Sequence, residues 1–339
     1  MLDVIEHLAS LHLSLPLHDD HRRPSTELAG AGRRAERSSL RPHTPRAPAT
    51  TMPPDESCLY TLMHAPRENH ERLLREFVIP VVRELKGAAE LDCLFFARYS
   101  VPDWQLRFRV LGRPSWVDGP VKRRIDEALL PVRESGLVDD IEFATYQREW
   151  ERYGGERGMF LAEKIFLHDS LASLDVIEAE SRGALAKTRR EYSLLFVERF
   201  LDLMGFDRDT RIAYYAYAHS WPITDGTWNE DDLRALDVKF EALEPGLVDL
   251  LRGDQSREPA LQWGGDEPAG IAARCLDACR VAVDELKSRH RAGEIEQDLV
   301  NLTWSYTHMH CNRLGIDAMP EAILRYFMWR LYTGAHFST

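Results

Sequence analysis

The stretch LDCLFFARYSVPDWQLRFRVLG, residues 91–112, decides the fold of this 339-residue chain. Both of its halves are rich in apolar and aromatic residues, and the short segment Val101–Asp103 between them predicts two strands joined as a hairpin. A strand (CLYTLMHA) and an amphipathic helix that contains Pro80 precede this hairpin, and a second helix and a fourth strand follow it. The resulting βαββαβ order predicts a ferredoxin-like sheet with helices on one face.

After Gly155 the strand patterns nearly vanish and helical periodicity replaces them. The segments with this periodicity are 158–180, 184–204, 207–219, 230–251, 268–292, 293–314 and 319–333. The expected breaks between them lie at Gly205, Pro222, Gly253, Gly264–Gly265, Gly293 and Pro320. The chain is therefore predicted to be an α+β protein. A sheet subdomain (57–155) and a helical bundle subdomain (156–339) are expected to share one core, with a cleft between them.

Residues 1–56 differ in composition from the rest of the chain. From His21 onward the segment is rich in Arg, Pro, Ser and Ala and almost lacks large apolar residues. Such a segment cannot bury enough surface to offset the entropy lost on ordering, so a disordered N-terminal extension is predicted. Met52 lies just before the first strand, which makes it an alternative start of translation.

The composition limits the classes of protein to be considered. The net charge of -12 disfavours bulk attraction to nucleic acid or anionic lipid. No apolar run is long enough to span a membrane, and the N-terminus lacks the pattern of a secretory signal. The 5 cysteines are scattered and form no paired CxxC motifs, which disfavours structural zinc. A reduced, cytoplasmic protein with no membrane partner and no direct nucleic-acid partner is expected.

The first candidate site lies on the second strand of the hairpin. Residues two apart on a strand share a face, so Gln105, Arg107 and Arg109 point to one side and the apolar residues between them point into the core. Two guanidinium groups on one face repel each other unless an anion lies between them, and their paired donors match a carboxylate. An acidic ligand is one interpretation. Solvated charges or internal salt bridges on an exposed sheet face are the other.

The second candidate is TYQREWERYGG, residues 145–155. Glu149 and Arg152 are three residues apart, so a helical turn would place them as an ion pair, and Gly154–Gly155 permits a tight turn. A plain connection between strand and helix, with a surface salt bridge, explains the same residues.

The third candidate is LVNLTWSYTHMHCNRLG, residues 299–315. On a helix His308 shares a face with Trp304 and Asn312, whereas His310 lies roughly 200° around the axis. The HxH pair is therefore not expected to chelate one metal ion. A histidine in a cleft could move a proton, although a buried, hydrogen-bonded histidine is the simpler interpretation. The chain has no GxSxG, GxxxxGK[ST] or GxGxxG motif in the required context.

Taken together and in this order, these motifs resemble the C-terminal elimination domain of class I lanthipeptide dehydratases. The same domain also occurs as a separate protein in thiopeptide and goadsporin-type pathways. The resemblance covers residues 57–335 and is carried by FFARYSVPDWQLRFRV (95–110), TYQREWERYGG (145–155), AEKIFLHDS (162–170) and THMHCNRLG (307–315).

The resemblance implies a lyase that needs no metal ion or organic cofactor. A separate tRNA-dependent enzyme esterifies a Ser or Thr hydroxyl of a ribosomal precursor peptide with glutamate. The elimination enzyme then removes the α-proton and expels glutamate, leaving dehydroalanine or dehydrobutyrine. The implied partners are the glutamylated precursor peptide, both leader and core, and the glutamylating enzyme. A homodimer remains open.

The family's functional residues carry over position by position. Those with an implied catalytic role are Arg109, Arg152 and His308. Those assigned to substrate binding are Arg107, Glu149 and Asn312. The family often has histidine where this chain has Gln105, so no histidine acts at that position.

The chemistry of elimination suits these residue types. Arginines can stabilise an enolate-like oxygen and hold the departing glutamate. His308 can serve as the general acid–base, and Glu149 would orient Arg152.

Two other functions fit the resemblance. Pyridine synthases of thiopeptide pathways share the fold but join two dehydroalanines in a formal [4+2] cycloaddition. They are not expected to retain Arg109, Arg152 and His308 together, so elimination is favoured. The other alternative is a non-catalytic scaffold that binds the leader peptide, which would not need arginines and a histidine in a cleft.

Overall fold

The computed structural model describes residues 56–185, 187–255 and 268–334. The predicted N-terminal extension up to residue 55, including Met52, lies outside the described residues. The predicted break at Gly264–Gly265 lies outside them as well.

The chain begins with a four-stranded antiparallel sheet in the order β2-β3-β1-β4. Its strands are β1 (Ser57–His64), β2 (Leu91–Tyr99), β3 (Gln105–Gly112) and β4 (Asp140–Ala144). This is the order of a ferredoxin-like βαββαβ unit, so the prediction from the hairpin and its flanks is confirmed. In this register Arg109 of β3 lies between Tyr60 of β1 and Phe95 of β2.

Two helical runs of the βαββαβ unit cover one face of the sheet. The first, α1, consists of a 3-10 turn and three helical segments: Arg67–Asn69, His70–Leu73, Leu74–Val78 and Ile79–Leu85. The second, α2, consists of Pro114–Trp116, Val117–Val121 and Lys122–Glu134. In each run a π-helical turn lies beside or around a proline, so the helix continues past Pro80 and Pro120 although proline supplies no N–H donor. Both runs pack on the face that carries Phe108.

Eight helices form the rest of the described chain. They are α3 (Glu156–Ser181), α4 (Arg189–Met204), α5 (Arg208–Ala218), α6 (Trp221–Thr224), α7 (Glu230–Gln255), α8 (Pro268–Arg291), α9 (Leu299–Arg313) and α10 (Ala318–Thr333). The chain is interrupted between the helices predicted on either side of Pro222 and of Pro320, whereas the break predicted at Gly253 is wrong. Pro222 and Pro320 lie within the first turns of α6 and α10. A backbone N–H in a first turn has no carbonyl of the same helix to donate to, so proline is tolerated there. Helix α7 continues through Gly253.

The opposite face of the sheet packs against this helical bundle. Phe95 of β2 contacts Phe166 of α3, with ring centroids 5.3 Å apart, and Phe166 contacts Tyr306 of α9 at 6.3 Å. The helices of the βαββαβ unit thus cover one face, as expected, and the bundle covers the other, because the face that carries the arginines is also rich in buried aromatic residues. One of the two core clusters contains buried residues of both the sheet and the bundle.

A partly buried ionic cluster joins the sheet to the bundle. Glu71 of α1 accepts hydrogen bonds from Arg98 at the end of β2 (2.9 Å) and from Arg189 at the start of α4 (2.8 Å). Both arginines also donate to carbonyl oxygens at the C-terminal end of α9. Burial alone would raise the pKa of Glu71, but the hydrogen bonds from Arg189 and the charge of Arg98 outweigh it and lower the pKa to about 2. This cluster fixes the position of α9, which carries the candidate histidine.

Candidate active site

A small cavity lies between the sheet and the bundle. It encloses about 30 Å³, which is room for water but not for an amino-acid side chain. Its lining includes the side chains of Tyr99, Arg109, Tyr146, Glu149, Tyr153 and Met309. Two of the six predicted site residues, Arg109 and Glu149, thus lie in the wall of one cavity.

Arg109 is a buried cation held by aromatic rings. Only 7% of the residue is exposed, and its guanidinium carbon lies 4.1, 5.0 and 5.1 Å from the ring centroids of Tyr60, Phe95 and Tyr146. One Nη donates to the Tyr60 hydroxyl (2.9 Å), and Nε has no hydrogen-bond partner among the described residues. Arg109 forms no ion pair with a carboxylate within that part of the chain. Since a buried cation is costly without an anion, this guanidinium is a ready anion-binding group.

Arg107 shares the face of Arg109, as strand alternation predicts. Its guanidinium carbon lies 3.5 Å from the ring centroid of Tyr99, and its Nε donates to the side-chain oxygen of Gln105 (2.9 Å). Gln105, the residue that departs from the family pattern, therefore supports Arg107. As with Arg109, no described carboxylate pairs with Arg107.

Glu149 and Arg152 form the predicted ion pair, with Nη1 and Oε2 3.1 Å apart. The Glu149 side chain is 49% exposed and the Arg152 side chain 13%. Arg152 also donates from Nε to the Ser305 hydroxyl of α9 (3.4 Å), while its second Nη has no partner among the described residues. Burial lowers the pKa of Arg152, but Tyr153 and Glu149 outweigh this and raise it above its ordinary value. This cation is therefore permanent.

His308 lies beside this pair on α9. Its ring stacks on Trp304 with centroids 5.2 Å apart and planes 13° from parallel, and the Arg152 guanidinium carbon lies 5.8 Å from the Trp304 ring. Nδ1 of His308 lies 2.7 Å from a carboxylate oxygen of Glu321 on α10. Trp304 thus contacts both Arg152 and His308, and the structure brings these residues together in one region.

The side chain of Asn312, which the resemblance assigns to substrate binding, contacts the backbone of β2. Its side-chain amide donates to the Arg98 carbonyl oxygen (2.7 Å) and accepts from the Arg98 N–H (2.9 Å). Both halves of the amide are therefore engaged with the outer edge of β2. These contacts have a structural role, because the strand edge would otherwise leave peptide groups unpaired.

Two buried acidic residues of α3, Asp169 and Glu163, lie in the same region. No role for either of them was predicted from the sequence. Asp169 lies within 2.5 Å of both His310 Nδ1 and Arg313 Nη1, and all three residues are almost fully buried. His310 also stacks on Phe196 with centroids 3.7 Å apart, so it points away from His308, as predicted. The AEKIFLHDS segment (162–170) contains Asp169, so the resemblance included this residue without indicating what it contacts.

A second acid on α3 supports the cavity wall. Glu163 receives two hydrogen bonds from Arg148, at 2.7 and 3.0 Å, and Arg148 also donates to Glu56 (2.6 Å). Glu163 interacts with Tyr146 of the wall too, and burial, followed by the Glu163 charge, raises the pKa of the Tyr146 hydroxyl. Tyr146 is therefore a neutral donor at physiological pH.

Within the described ranges, no helix is long and apolar enough to cross a membrane. In the same part of the chain, no group of three or more His, Cys, Asp or Glu side chains is placed to hold a metal ion.

Known proteins with a similar sequence or fold point to one family. A curated relative, the subtilin biosynthesis protein SpaB of Bacillus subtilis, is 23% identical over 230 residues. Among solved structures, the tRNA-dependent lantibiotic dehydratase MibB from Microbispora sp. 107891 superposes with a TM-score of 0.61 at 23% identity over 85% of this chain. TsrL gives 0.60 at 18% identity over 82% of the chain, and the pyridine synthase TbtD from thiomuracin biosynthesis gives 0.57 at 14% identity over 81%. At these identities the structures establish the fold alone.

The share of each relative that is covered differs sharply. The match spans 21% of SpaB and 28% of MibB, but 94% of TsrL and 97% of TbtD. The sequence profile described as lantibiotic biosynthesis dehydratase C-term matches residues 59–332, which is most of the chain. This protein belongs to the lantibiotic biosynthesis dehydratase C-terminal family.

Proposed function

We propose that this protein eliminates glutamate from glutamylated serine or threonine residues of a ribosomal precursor peptide. Arg109 carries the proposal: it is a buried guanidinium in the wall of a cavity, with an unpartnered Nε and no described carboxylate to neutralise it. Glutamate leaves this reaction as a carboxylate, and a guanidinium binds a carboxylate through paired hydrogen bonds. The site therefore offers a cation where the product develops its negative charge.

The elimination breaks two bonds of the modified residue. A base removes the proton from Cα, and the electron pair that remains forms the Cα–Cβ double bond as the Cβ–oxygen bond of the ester breaks. Glutamate departs with that bonding pair as its carboxylate. Arg109 and Arg152 stabilise the enolate-like oxygen and the leaving carboxylate, while His308 exchanges a proton with Cα or with the leaving group. Arg107 and Glu149 are assigned to substrate binding.

Entry of the glutamyl group requires the cavity to widen, because 30 Å³ holds only water. Glu149 is the group placed to move, since half of its side chain is exposed while its partner Arg152 is largely buried. An incoming carboxylate can replace that of Glu149 on Arg152 without leaving the arginine unpaired. The exchange therefore avoids the cost of a buried guanidinium without an anion.

Pyridine synthesis is the second candidate function. It is favoured by one observation, the match to 97% of the length of the pyridine synthase TbtD. A site for ring formation must accommodate two dehydroalanines and does not need to bind a leaving carboxylate. The unpaired guanidinium of Arg109 in the cavity wall therefore favours elimination.

The test is to incubate the protein with a glutamylated precursor peptide, made by a separate tRNA-dependent glutamylating enzyme, and to follow the peptide mass. Loss of glutamate without ring formation is expected. Ring formation with release of the leader peptide would establish the synthase instead, and binding without any change in mass would establish a leader-binding scaffold. Substitution of Arg109, Arg152 or His308 by alanine should slow glutamate release at least 100-fold. Arg234→Ala, on the exposed surface of α7, is the control and should release glutamate at the wild-type rate.

A further inference from the structure

The hydrogen-bond partner of His308 is a deeply buried carboxylate. Glu321 is 3% exposed, and its Oε2 lies 2.7 Å from His308 Nδ1. Its other oxygen accepts a hydrogen bond from Arg325 (3.4 Å), which is 1% exposed and lies one helical turn further along α10. Burial alone would raise the pKa of Glu321, but the charges and hydrogen bonds of His308 and Arg325 lower it below its usual range.

An ionised carboxylate accepts hydrogen bonds but cannot donate them. Nδ1 of His308 must therefore carry the hydrogen that points at Glu321. In the neutral imidazole this leaves the lone pair on Nε2, so Nε2 becomes the atom that can accept a proton. The stack on Trp304 fixes the plane of the ring at the same time.

We propose that Glu321 is a positioning residue that holds His308 in the tautomer with hydrogen on Nδ1, and that Arg325 keeps this carboxylate ionised and in place. The assignment rests on the proposed function, in which His308 exchanges the proton. The contact geometry favours it over a purely structural salt bridge. A carboxylate that served only Arg325 would present both oxygens to that guanidinium, whereas Glu321 turns one oxygen to the imidazole.

Glu321→Gln tests the proposal because Arg325 dictates how the new amide must lie. Arg325 can only donate, so it selects the amide oxygen, and the amide NH₂ then faces His308 Nδ1. Nδ1 must become the acceptor, which moves the hydrogen to Nε2 and removes the base. We expect kcat for glutamate release to fall about 100-fold or more with little change in KM, because the substrate-binding residues are untouched.

Two further variants separate positioning from stability. Glu321→Gln combined with Arg325→Met leaves the amide free to present its oxygen to His308, and kcat should recover by about 10-fold or more over the single variant. Glu198→Gln is the matched control. It neutralises a largely buried carboxylate elsewhere in the bundle, which is bound by Arg211, Tyr215 and Tyr332, and it should leave kcat unchanged.

The tautomer itself is read by ¹⁵N NMR of histidine-labelled protein, with the His308 signals identified from a His308→Asn sample. At a pH where the ring is neutral, wild type should carry hydrogen on Nδ1 and Glu321→Gln on Nε2. Hydrogen on Nε2 in the wild type, or wild-type kcat in Glu321→Gln, would overturn the proposal. The spectrum needs no substrate, so it stands even if the protein proves not to release glutamate.

Discussion

Two buried arginines differ in one respect: Arg313 is paired with a carboxylate and Arg109 is not. Arg313 is fully buried and its Nη1 contacts Asp169, whereas Arg109 is 7% exposed and lies among aromatic rings. Replacing each with methionine, a side chain of similar length without charge, should therefore have opposite consequences for stability and activity.

The magnitudes follow from the contacts. Arg109→Met loses about 1–2 kcal/mol of cation–π attraction and about 1.5–3 kcal/mol from the charged hydrogen bond to Tyr60. It also removes the desolvation cost of an unpaired buried cation, which is several kcal/mol. These contributions nearly cancel, so the free energy of unfolding should change by less than about 2 kcal/mol. Arg313→Met instead leaves Asp169 buried and without its arginine, which costs about 3–5 kcal/mol and lowers Tm by roughly 5–8 °C.

The assay pairs chemical denaturation of both variants with glutamate release from a glutamylated peptide. Arg109→Met should remain as stable as wild type and lose at least 100-fold in kcat/KM, because the donor to the developing carboxylate is gone. If Arg109→Met were destabilised as much as Arg313→Met, Arg109 would be a structural residue. Release of glutamate at the wild-type rate would refute its place in the site.

Three other variants test separate features. Glu149→Gln should leave stability within about 1 kcal/mol of wild type, because half of the Glu149 side chain is exposed, and should lower KM, because a neutral amide competes less well than a carboxylate with the substrate for Arg152. The pKa of Glu71 is 4.5 ordinarily and about 2 in the folded protein. The ionised carboxylate therefore stabilises the fold fully above pH 4.5, and this stabilisation is lost as the pH falls towards 2. Glu71→Gln should therefore be less stable at neutral pH, by about 1–2 kcal/mol after allowance for its exposure, and the difference from wild type should vanish near pH 2 in acid-unfolding curves. Gly154→Ala should destabilise more than Gly155→Ala in denaturant titrations. Both glycines have positive φ, but only at residue 154 would a Cβ meet Ile295, at 2.5 Å.

Local periodicity was sufficient to predict the parts of the site that depend on neighbours along the chain. Strand alternation placed Arg107 and Arg109 on one face, and the three-residue spacing of Glu149 and Arg152 predicted their ion pair. The βαββαβ order followed from the same alternation. The roles assigned to these residues remain predictions.

The buried acids could not be predicted in the same way, because their partners are distant in sequence. Asp169 meets His310 141 residues away, and Glu321 reaches His308 from the following helix. No periodicity within one helix encodes such a pairing. The available signal was chemical: an acid inside an otherwise apolar helical run, such as Glu321 with Arg325 four residues later, is rarely buried without a partner.

The contact between Asn312 and Arg98 has a consequence for self-association. The Asn312 amide behaves like one peptide group of an additional strand, and it closes the outer edge of β2 at the point where another chain could add. The remaining edge belongs to β4, which is short and carries exposed Asp140 beside the negatively charged Glu142. Like charges would face each other if two copies joined their sheets along β4, and such charges are a common protection against edge-to-edge aggregation. Any homodimer of this protein is therefore expected to form through its helices and not through a continuous sheet.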